Sequence, residues 1–226
     1  MKTKLMTLGL LFASLAGFSQ TKFGVHVGAN MANVSVSSTD PDFKYGNKVK
    51  VGPIFGVMAD IPVISGLHFR PELNYVQKGS KLSSSYSVFG TTYKMEDKLS
   101  MNYLTMPLNI TYNIVAGPGN VFVGVGPELS YGISGKEKTD VNGESGENKI
   151  KFDGDKDASD DDTHLKAFEF GLSTTAGYQL NMGAYLSLGY NLGLSNISPY
   201  DDSKFKNNGF YVKLGFSFGG KTASKN

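Results

Sequence analysis

Seven ionisable side chains fall on one side of alternating segments in this sequence, where they could move protons or bind ions. They are His26, His68, Arg70, Glu72, Glu128, Glu169 and Lys213. Successive side chains of a β-strand point to opposite faces, and all seven lie on the less apolar face of their segments. Charges enclosed in a dry space must be paired. We therefore expect a structural network of ion pairs and hydrogen bonds, with a proton or ion relay or a gated pore as the alternative.

A second group of possible ligands lies between Gly135 and Thr163, a stretch with ten acidic residues, five lysines and hence a net charge of −5. Asp153, Asp155 and Asp157 supply oxygens at alternate positions, as calcium loops do. However, Ala158 stands where the turn glycine of such a loop belongs, and His164 stands where its bidentate glutamate belongs. We expect a solvated, mobile acidic loop, with a calcium site at the three aspartates as the alternative.

Motifs for catalysis and cofactor binding are missing from the sequence. It has no G-x-S-x-G, no H-E-x-x-H and no phosphate-binding glycine loop before a helix. Glycine pairs such as Gly124 and Gly126 have the spacing of a strand face. The absence of Cys excludes disulfides, cysteine metal sites, a cysteine nucleophile and a lipid-modified N-terminal cysteine. We predict no enzymatic activity, no cofactor and, because of the charge balance given next, no nucleic-acid partner.

The N-terminus has the pattern of a secretory signal peptide. Lys2 and Lys4 precede a short apolar stretch, and Gly17 and Ser19 are the small residues of a cleavage site. We predict a signal peptide at 1–19, a β-barrel domain at 20–218 and a short polar C-terminal tail at 219–226. The formal charge of +2 comes from Lys2 and Lys4, so the processed chain is neutral.

The elements that must position the candidate residues are strands. Eight segments alternate apolar and polar residues with a period of two, at 22–34, 49–61, 67–78, 101–114, 121–133, 165–180, 184–195 and 209–218. The connections between them are alternately long and short, a pattern typical of up-and-down pairing with all long loops at one end. Pairing of the first segment with the last would leave no free edge.

The residue types on the two faces decide which face is inside. The less apolar face carries mostly Gly, Ser, Asn and isolated charges, which are too small and too sparse for a solvated exterior. Those residues fit the crowded interior of an eight-stranded barrel, with the bulky apolar residues facing lipid. A soluble periplasmic or secreted barrel is the alternative. Aromatic residues form two expected girdles: Phe23, Phe69, Tyr112, Tyr178, Phe216 and Phe218 at the short turns, and Tyr75, Tyr103, Tyr131, Phe168 and Phe210 at the long loops.

Four segments carry a resemblance to a known family: HFRPELNYVQKG (68–79), MNYLTMPLNITY (101–112), VFVGVGPELSYGISGK (121–136) and GYNLGLSNIS (189–198). They resemble the outer-membrane β-barrel family of the Bacteroidetes that includes the PorT-like proteins. The resemblance implies an eight-stranded outer-membrane barrel, and some relatives are linked to protein secretion. The chain departs from the family in its acidic third loop and in the tail after Phe218.

Together these observations predict an all-β, eight-stranded antiparallel up-and-down transmembrane β-barrel. Four long loops would face outside and three short turns would face the periplasm. The expected partners are outer-membrane lipid and the barrel-assembly machinery, which would read the C-terminal strand. We expect a structural or loop-mediated surface-binding role in the outer membrane, with an accessory role in transport or protein secretion as the alternative.

Overall fold

The structure is a computed structural model that describes residues 20–38, 46–88, 91–141, 144–156, 159–200 and 203–220. The predicted signal peptide at 1–19 and residues 221–226 of the predicted tail lie outside the described residues. No helix in the described ranges is long and apolar enough to cross a membrane.

The described residues form eleven strands. In chain order they are β1 (Lys22–Ser38), β2 (Gly46–Ile64), β3 (Leu67–Lys78), β4 (Ser80–Val88), β5 (Thr91–Ala116), β6 (Gly119–Val141), β7 (Glu144–Lys151), β8 (Thr163–His164), β9 (Phe168–Leu180), β10 (Ala184–Gly193) and β11 (Ser203–Gly219). Eight of them, all but β4, β7 and β8, make a closed ring of antiparallel pairs in chain order. The predicted eight-stranded up-and-down barrel is confirmed.

The ring closes where β1 pairs with β11. Their register is continuous from Lys22 opposite Gly219 to Ser38 opposite Ser203. The backbone N–H and C=O groups that a sheet edge would leave unpaired therefore bond to each other. Closure of this kind is what allows β-structure to stand in hydrocarbon, because no water is available there to satisfy an open edge.

Tight turns gather at one end of the barrel, which we call the short-turn end. The β2–β3, β5–β6 and β9–β10 connections lie there, together with the start of β1 and the end of β11. Glycine is required in these turns: Gly66 has φ 77° and Gly183 has φ 105°, in the left-handed region. At Gly183 a Cβ would also lie 2.2 Å from the carbonyl oxygen of Ser217. The opposite end carries the longer connections, and we call it the long-loop end.

The bulky apolar side chains of the strands point away from the barrel axis. On β11, Phe210 and Leu214 are 60% and 61% exposed. Tyr211 and Lys213, which lie between them in the chain, are only 3% and 2% exposed. The same alternation holds around the ring, where Val27, Val125 and Leu188 are among the exposed apolar residues. A soluble barrel would show the reverse, with its apolar residues packed inside. The outer wall is therefore an apolar belt.

At the long-loop end, the sheet extends further than the apolar alternation predicts. The expected second long loop, 79–98, contains β4 and the start of β5. The expected acidic loop, 135–163, contains the end of β6, the whole of β7 and the start of β8. Backbone pairing continues here although the side chains have become polar, because water-exposed strands need no apolar face. The sixth predicted segment was wrong at its start: β9 begins at Phe168, and Leu165 lies inside the barrel mouth.

Tyr103 was wrongly assigned to the long-loop girdle. It is fully buried, with its ring centroid 5.3 Å from that of Phe152. Tyr103 has the same alternation as Thr105, which also points inward, and the β5–β6 register shifts between Asn102 and Tyr103. Other predicted members of that girdle, Tyr131, Phe168 and Phe210, are exposed on the outer wall.

Candidate functional site: a charge network in the barrel lumen

β3 contributes more of the lumen network than any other strand. Its inward positions carry His68, Arg70, Glu72, Asn74 and Lys78. Alternation places all five on one face, and the strand's rise spreads them over the depth of the barrel. Their partners come from strands on other sides of the ring, so the network consists of three clusters at successive depths.

The first cluster lies at the short-turn end. The Arg70 guanidinium donates from Nη2 to Oδ2 of Asp60 at 3.0 Å and to Oε1 of Gln179 at 3.2 Å. The second carboxylate oxygen of Asp60 lies 2.9 Å from Nδ1 of His68. The guanidinium also stacks 4.2 Å from the ring centroid of Phe122. Arg70 of β3 therefore contacts the neighbouring strand β2 and reaches β6 and β9 across the lumen.

The second cluster is a chain of bonds around Glu72. Lys213 of β11 donates to Oε2 of Glu72 at 2.5 Å, and Asn74 donates to the same oxygen at 2.9 Å. The Asn74 carbonyl oxygen lies 2.7 Å from Nε2 of His26, whose Nδ1 is 3.0 Å from the hydroxyl of Tyr185. These partners fit a neutral imidazole with its proton on Nε2, because an amide oxygen can only accept. The cluster thus pairs one cation with one anion.

The third cluster surrounds Lys78 near the long-loop end. Its ammonium donates to Glu128 at 3.2 Å and to Glu169 at 3.4 Å, so one cation is shared by two carboxylates. Asn207 of β11 donates to Glu169 at 2.8 Å and to the hydroxyl of Tyr103 at 3.3 Å. β5 and β11 are on opposite sides of the ring, so the bond from Asn207 to Tyr103 crosses the whole lumen.

The structure places all seven predicted residues in this lumen. His26, Arg70, Glu72, Glu128, Glu169 and Lys213 are buried, and His68 is partly exposed at the short-turn end. The prediction omitted Asp60 and Lys78, although both follow the same alternation as the residues it included. Asn74, Tyr185, Gln179 and Asn207 were also omitted, because the sequence does not show which uncharged polar residues bridge the charges.

An apolar cluster lies at the long-loop end of the lumen, and we call it the mouth cluster. It consists of Val34, Leu99, Met101, Tyr103, Ile150, Leu165 and Ile197, with Phe152 and Phe205 packed against it. The ring of Tyr103 lies 5.0 Å from the Lys78 ammonium, so the cluster sits directly on the third charge cluster. Sequence reasoning missed it because its seven members come from β1, β5, β7 and two connecting segments.

The short-turn end of the lumen is open and polar. A pocket of about 450 Å³ lies there, lined by Lys22, Asp60, His68, Asn120 and Gln179 among others. The first charge cluster forms part of its wall. The lumen is thus polar and open at the short-turn end and carries packed apolar side chains at the other.

The acidic segment forms a cluster of its own at the long-loop end. His164 bonds through Nδ1 to Asp153 at 2.7 Å and through Nε2 to Asp160 at 2.9 Å. Lys151 bonds to Asp160 at 2.5 Å and to Asp162 at 2.9 Å. Asp157 of the predicted calcium site lies outside the described residues. No group of three or more His, Asp or Glu side chains suited to a metal ion occurs in the described part of the chain.

These contacts shift the pKa values of the loop residues in a direction that favours ionised partners. Hydrogen bonds to Asp160 and then Asp153 raise the pKa of His164 above its ordinary value of 6.5. Bonds to His164 lower the pKa of Asp153 and Asp160. The bonds to Asp160 and Asp162 raise the pKa of Lys151. The segment is therefore held by ion pairs at neutral pH.

Comparison with known proteins now identifies the fold. Residues 18–198 match the family model described as outer membrane protein beta-barrel domain. The chain belongs to this family. Membership indicates an integral barrel of the outer membrane, with the short-turn end in the periplasm and the long-loop end outside the cell. No curated protein matches the chain.

Several solved outer-membrane proteins are similar in structure. Ail of Yersinia pestis is 11% identical, with 88% of this chain and 99% of that chain covered and a TM-score of 0.38. Neisserial surface protein A is 15% identical, with 87% and 97% covered and a TM-score of 0.38. OprG of Pseudomonas aeruginosa is 11% identical, with 90% and 98% covered and a TM-score of 0.43. At these scores nothing about ligands or partners is transferred to this barrel.

Removal of the Lys213 charge tests whether the lumen network is a paired unit. Lys213→Met leaves the buried Glu72 carboxylate without its cation, and we expect a loss of about 3 to 5 kcal/mol of unfolding free energy. Lys213→Met combined with Glu72→Gln should recover most of it. Urea titration of barrels folded into phospholipid vesicles measures the unfolding free energy of the single and the double variant. Lys166→Met, at an exposed position, is the control. A cost below about 1 kcal/mol for the single variant would contradict the pairing.

The pH dependence of the acidic segment follows from His164. Since its pKa is raised on folding, its stabilising contribution is complete below 6.5 and is lost as the pH rises through the raised pKa. Asp153 and Asp160 have lowered pKa values, so their contribution to stability is complete above pH 3.8. It is lost as the pH falls through the lowered pKa values. NMR titration of the His164 ring should give a pKa above 6.5 that falls in Asp160→Asn. An unchanged pKa in that variant would rule out the bond.

Proposed function

We propose that this protein is a closed outer-membrane scaffold that carries no enzymatic activity and presents its outer sheet extension to partners at the cell surface. The observation that carries the proposal is the mouth cluster, in which Val34, Met101, Tyr103 and Ile197 are fully buried above the lumen. A passage for solutes needs a continuous polar path, and this seal of packed apolar side chains interrupts it. The protein's working surface is then on the outside.

The lumen below the seal supports the same conclusion. Its ion pairs and hydrogen bonds join strands on opposite sides of the ring, as in the pair formed by Lys213 and Glu72 and in the bond from Asn207 to Tyr103. A solute could pass only if these buried pairs separated, and separating a buried pair leaves uncompensated charge. We infer that the network stiffens the barrel and does not conduct.

The outer sheet extension consists of β4, β7, β8 and the ends of β5 and β6 that pair with them. Its acidic segment is folded by its own contacts, with Lys151 and His164 each joined to two carboxylates. Surface segments held on a rigid scaffold are where binding function usually resides. An excess of acidic residues suits a basic partner surface, and binding through it would weaken as salt concentration rises.

The resemblance to the PorT-like proteins suggests a second role, as an accessory of transport or protein secretion. It is an analogy of fold, and function belongs to particular sites. The periplasmic pocket beside Asp60 and His68 is the feature that favours it, because a secretion partner would approach from that side. The two roles differ in the phenotype that each predicts for a deletion strain.

Two measurements separate these roles. Purified barrel in planar bilayers should show no steady conductance of porin size, and large stable channels would contradict the sealed lumen. Cells that display the barrel should lose salt-sensitive attachment in Glu144→Gln/Asp161→Asn, two exposed acidic residues, while Lys166→Gln/Lys204→Gln at exposed lysines retains it. A deletion strain that loses secreted proteins, with attachment unchanged, would favour the secretion role.

A further inference from the structure

Four lysines stand directly opposite one another across the outer end of the sheet. Lys48 of β2 pairs with Lys81 of β4, which pairs with Lys98 of β5, which pairs with Lys138 of β6. All four are exposed. Directly opposed residues of neighbouring strands project from the same face of a sheet. We call this set the lysine row, and with strands about 4.8 Å apart it is about 14 Å long.

The lysine row is on the outer face of the extension, away from the barrel axis. Leu99, next to Lys98 in the chain, belongs to the mouth cluster and is 4% exposed. Side chains alternate along a strand, so Lys98 points the other way. Lys138 agrees with this assignment, since it bonds at 3.0 Å to Glu147 of β7 and its side chain is 61% exposed.

Like charges directly opposed on neighbouring strands are destabilising, and here the arrangement occurs three times in succession. Within the described part of the chain, Lys138 has an ion pair with Glu147 whereas Lys48, Lys81 and Lys98 have none. The nearest acidic rung is formed by Glu96 opposite Asp140, one step further from the barrel on the same face. On β5 and β6 a basic rung therefore lies on the membrane side of an acidic one, and Glu147 of β7, directly opposite Lys138, ends the lysine row. A lysine row on the membrane side suits contact with an anionic layer at the membrane surface.

The height of the lysine row above the apolar belt limits which lipid headgroups can reach it. Val51 on β2, Leu104 on β5 and Ile133 on β6 are outward apolar residues that mark the top of the belt. The lysines of these strands, Lys48, Lys98 and Lys138, lie three, six and five residues beyond them. The two odd separations span register shifts, which β2 has between its pairing with β3 and its pairing with β4, and which β6 has at Ile133. With a rise of about 3.3 Å per residue and a tilt of about 40°, that is about 8 to 15 Å above the belt.

The headgroup region of a phospholipid bilayer is only about 5 to 8 Å deep on each side. A single-phosphate headgroup would thus reach Lys48 and leave the higher lysines unoccupied. A sugar headgroup with more than one phosphate spans the required height. We propose that Lys48, Lys81, Lys98 and Lys138 bind the phosphates of a phosphorylated glycolipid in the outer leaflet. The proposal concerns the lipid around the barrel and does not depend on the surface-binding role.

Glycolipid binding can be measured on the full barrel in phosphatidylcholine nanodiscs. A bisphosphorylated glycolipid is titrated in, and the amount bound per barrel is read by native mass spectrometry. Wild-type barrel should bind it in preference to the same glycolipid without phosphates. Lys81→Gln/Lys98→Gln should weaken binding about 30-fold, from about 5-fold per lysine at a membrane surface. Lys166→Gln/Lys204→Gln removes the same charge elsewhere and should bind as wild type does.

Three results would overturn the proposal: equal binding by Lys81→Gln/Lys98→Gln and wild type, equal binding of both glycolipids, and full competition by inorganic phosphate or phosphatidylglycerol. The last would show that no extended headgroup is needed. Both neutral substitutions relieve repulsion, so the variant should fold, and its circular dichroism before lipid addition checks this. The single variant Lys98→Gln, with an expected loss of about 5-fold, provides a second test.

Discussion

The pairing of β1 with β11 is the interaction on which the rest of the molecule depends. It removes the last sheet edge, so every strand of the ring has two hydrogen-bonded neighbours. In hydrocarbon an unpaired edge would cost several kcal/mol for each unsatisfied group. Once the ring is closed, the wall has only two faces, and lipid fixes which residues occupy the outer one. Polar side chains at membrane depth must then be accommodated in a narrow interior.

That confinement explains the lumen. An eight-stranded barrel leaves space for side chains and little else. Charged residues enclosed there must find partners, either across the lumen, as Lys213 does with Glu72, or on a neighbouring strand, as Arg70 does with Asp60. The two ends differ because the mouth cluster covers one of them and a polar pocket opens at the other. The packed apolar side chains at the outer end and the extended outer sheet are the features on which we base the proposal of a scaffold.

Much of the barrel was predictable because the alternation of apolar and polar residues indicates both where the strands lie and which side chains point outward. It placed Phe210 and Leu214 outside and Lys213 inside, and it brought His26, Glu128 and Glu169 to the lumen. The rule fails where lipid ends. β7 has polar side chains on both faces up to Lys149, and Leu165 and Ile150 are buried by contacts between distant segments, so no local pattern indicated them.

Which residues pair with each other in the lumen also could not be predicted from the sequence. Lys78 meets Glu128 and Glu169 because of the stagger between β3, β6 and β9, which is a property of the closed ring. The lysine row likewise appears only when the registers of four strands are known. In both cases the residue types were visible in the sequence, and what could not be seen was which of them would stand opposite one another.

Single cysteines test most directly which side chains of the barrel wall point to lipid and which point to the lumen, because the chain contains no Cys. A fluorophore on Leu188→Cys or Leu214→Cys, both outward, should be quenched strongly by lipids brominated on their acyl chains. Ser187→Cys, buried in the lumen beside Leu188, should resist labelling in the folded barrel. Strong quenching at the two leucine positions with protection at Ser187 is the predicted result. Ready labelling at Ser187 with no quenching at Leu188 or Leu214 would contradict the account.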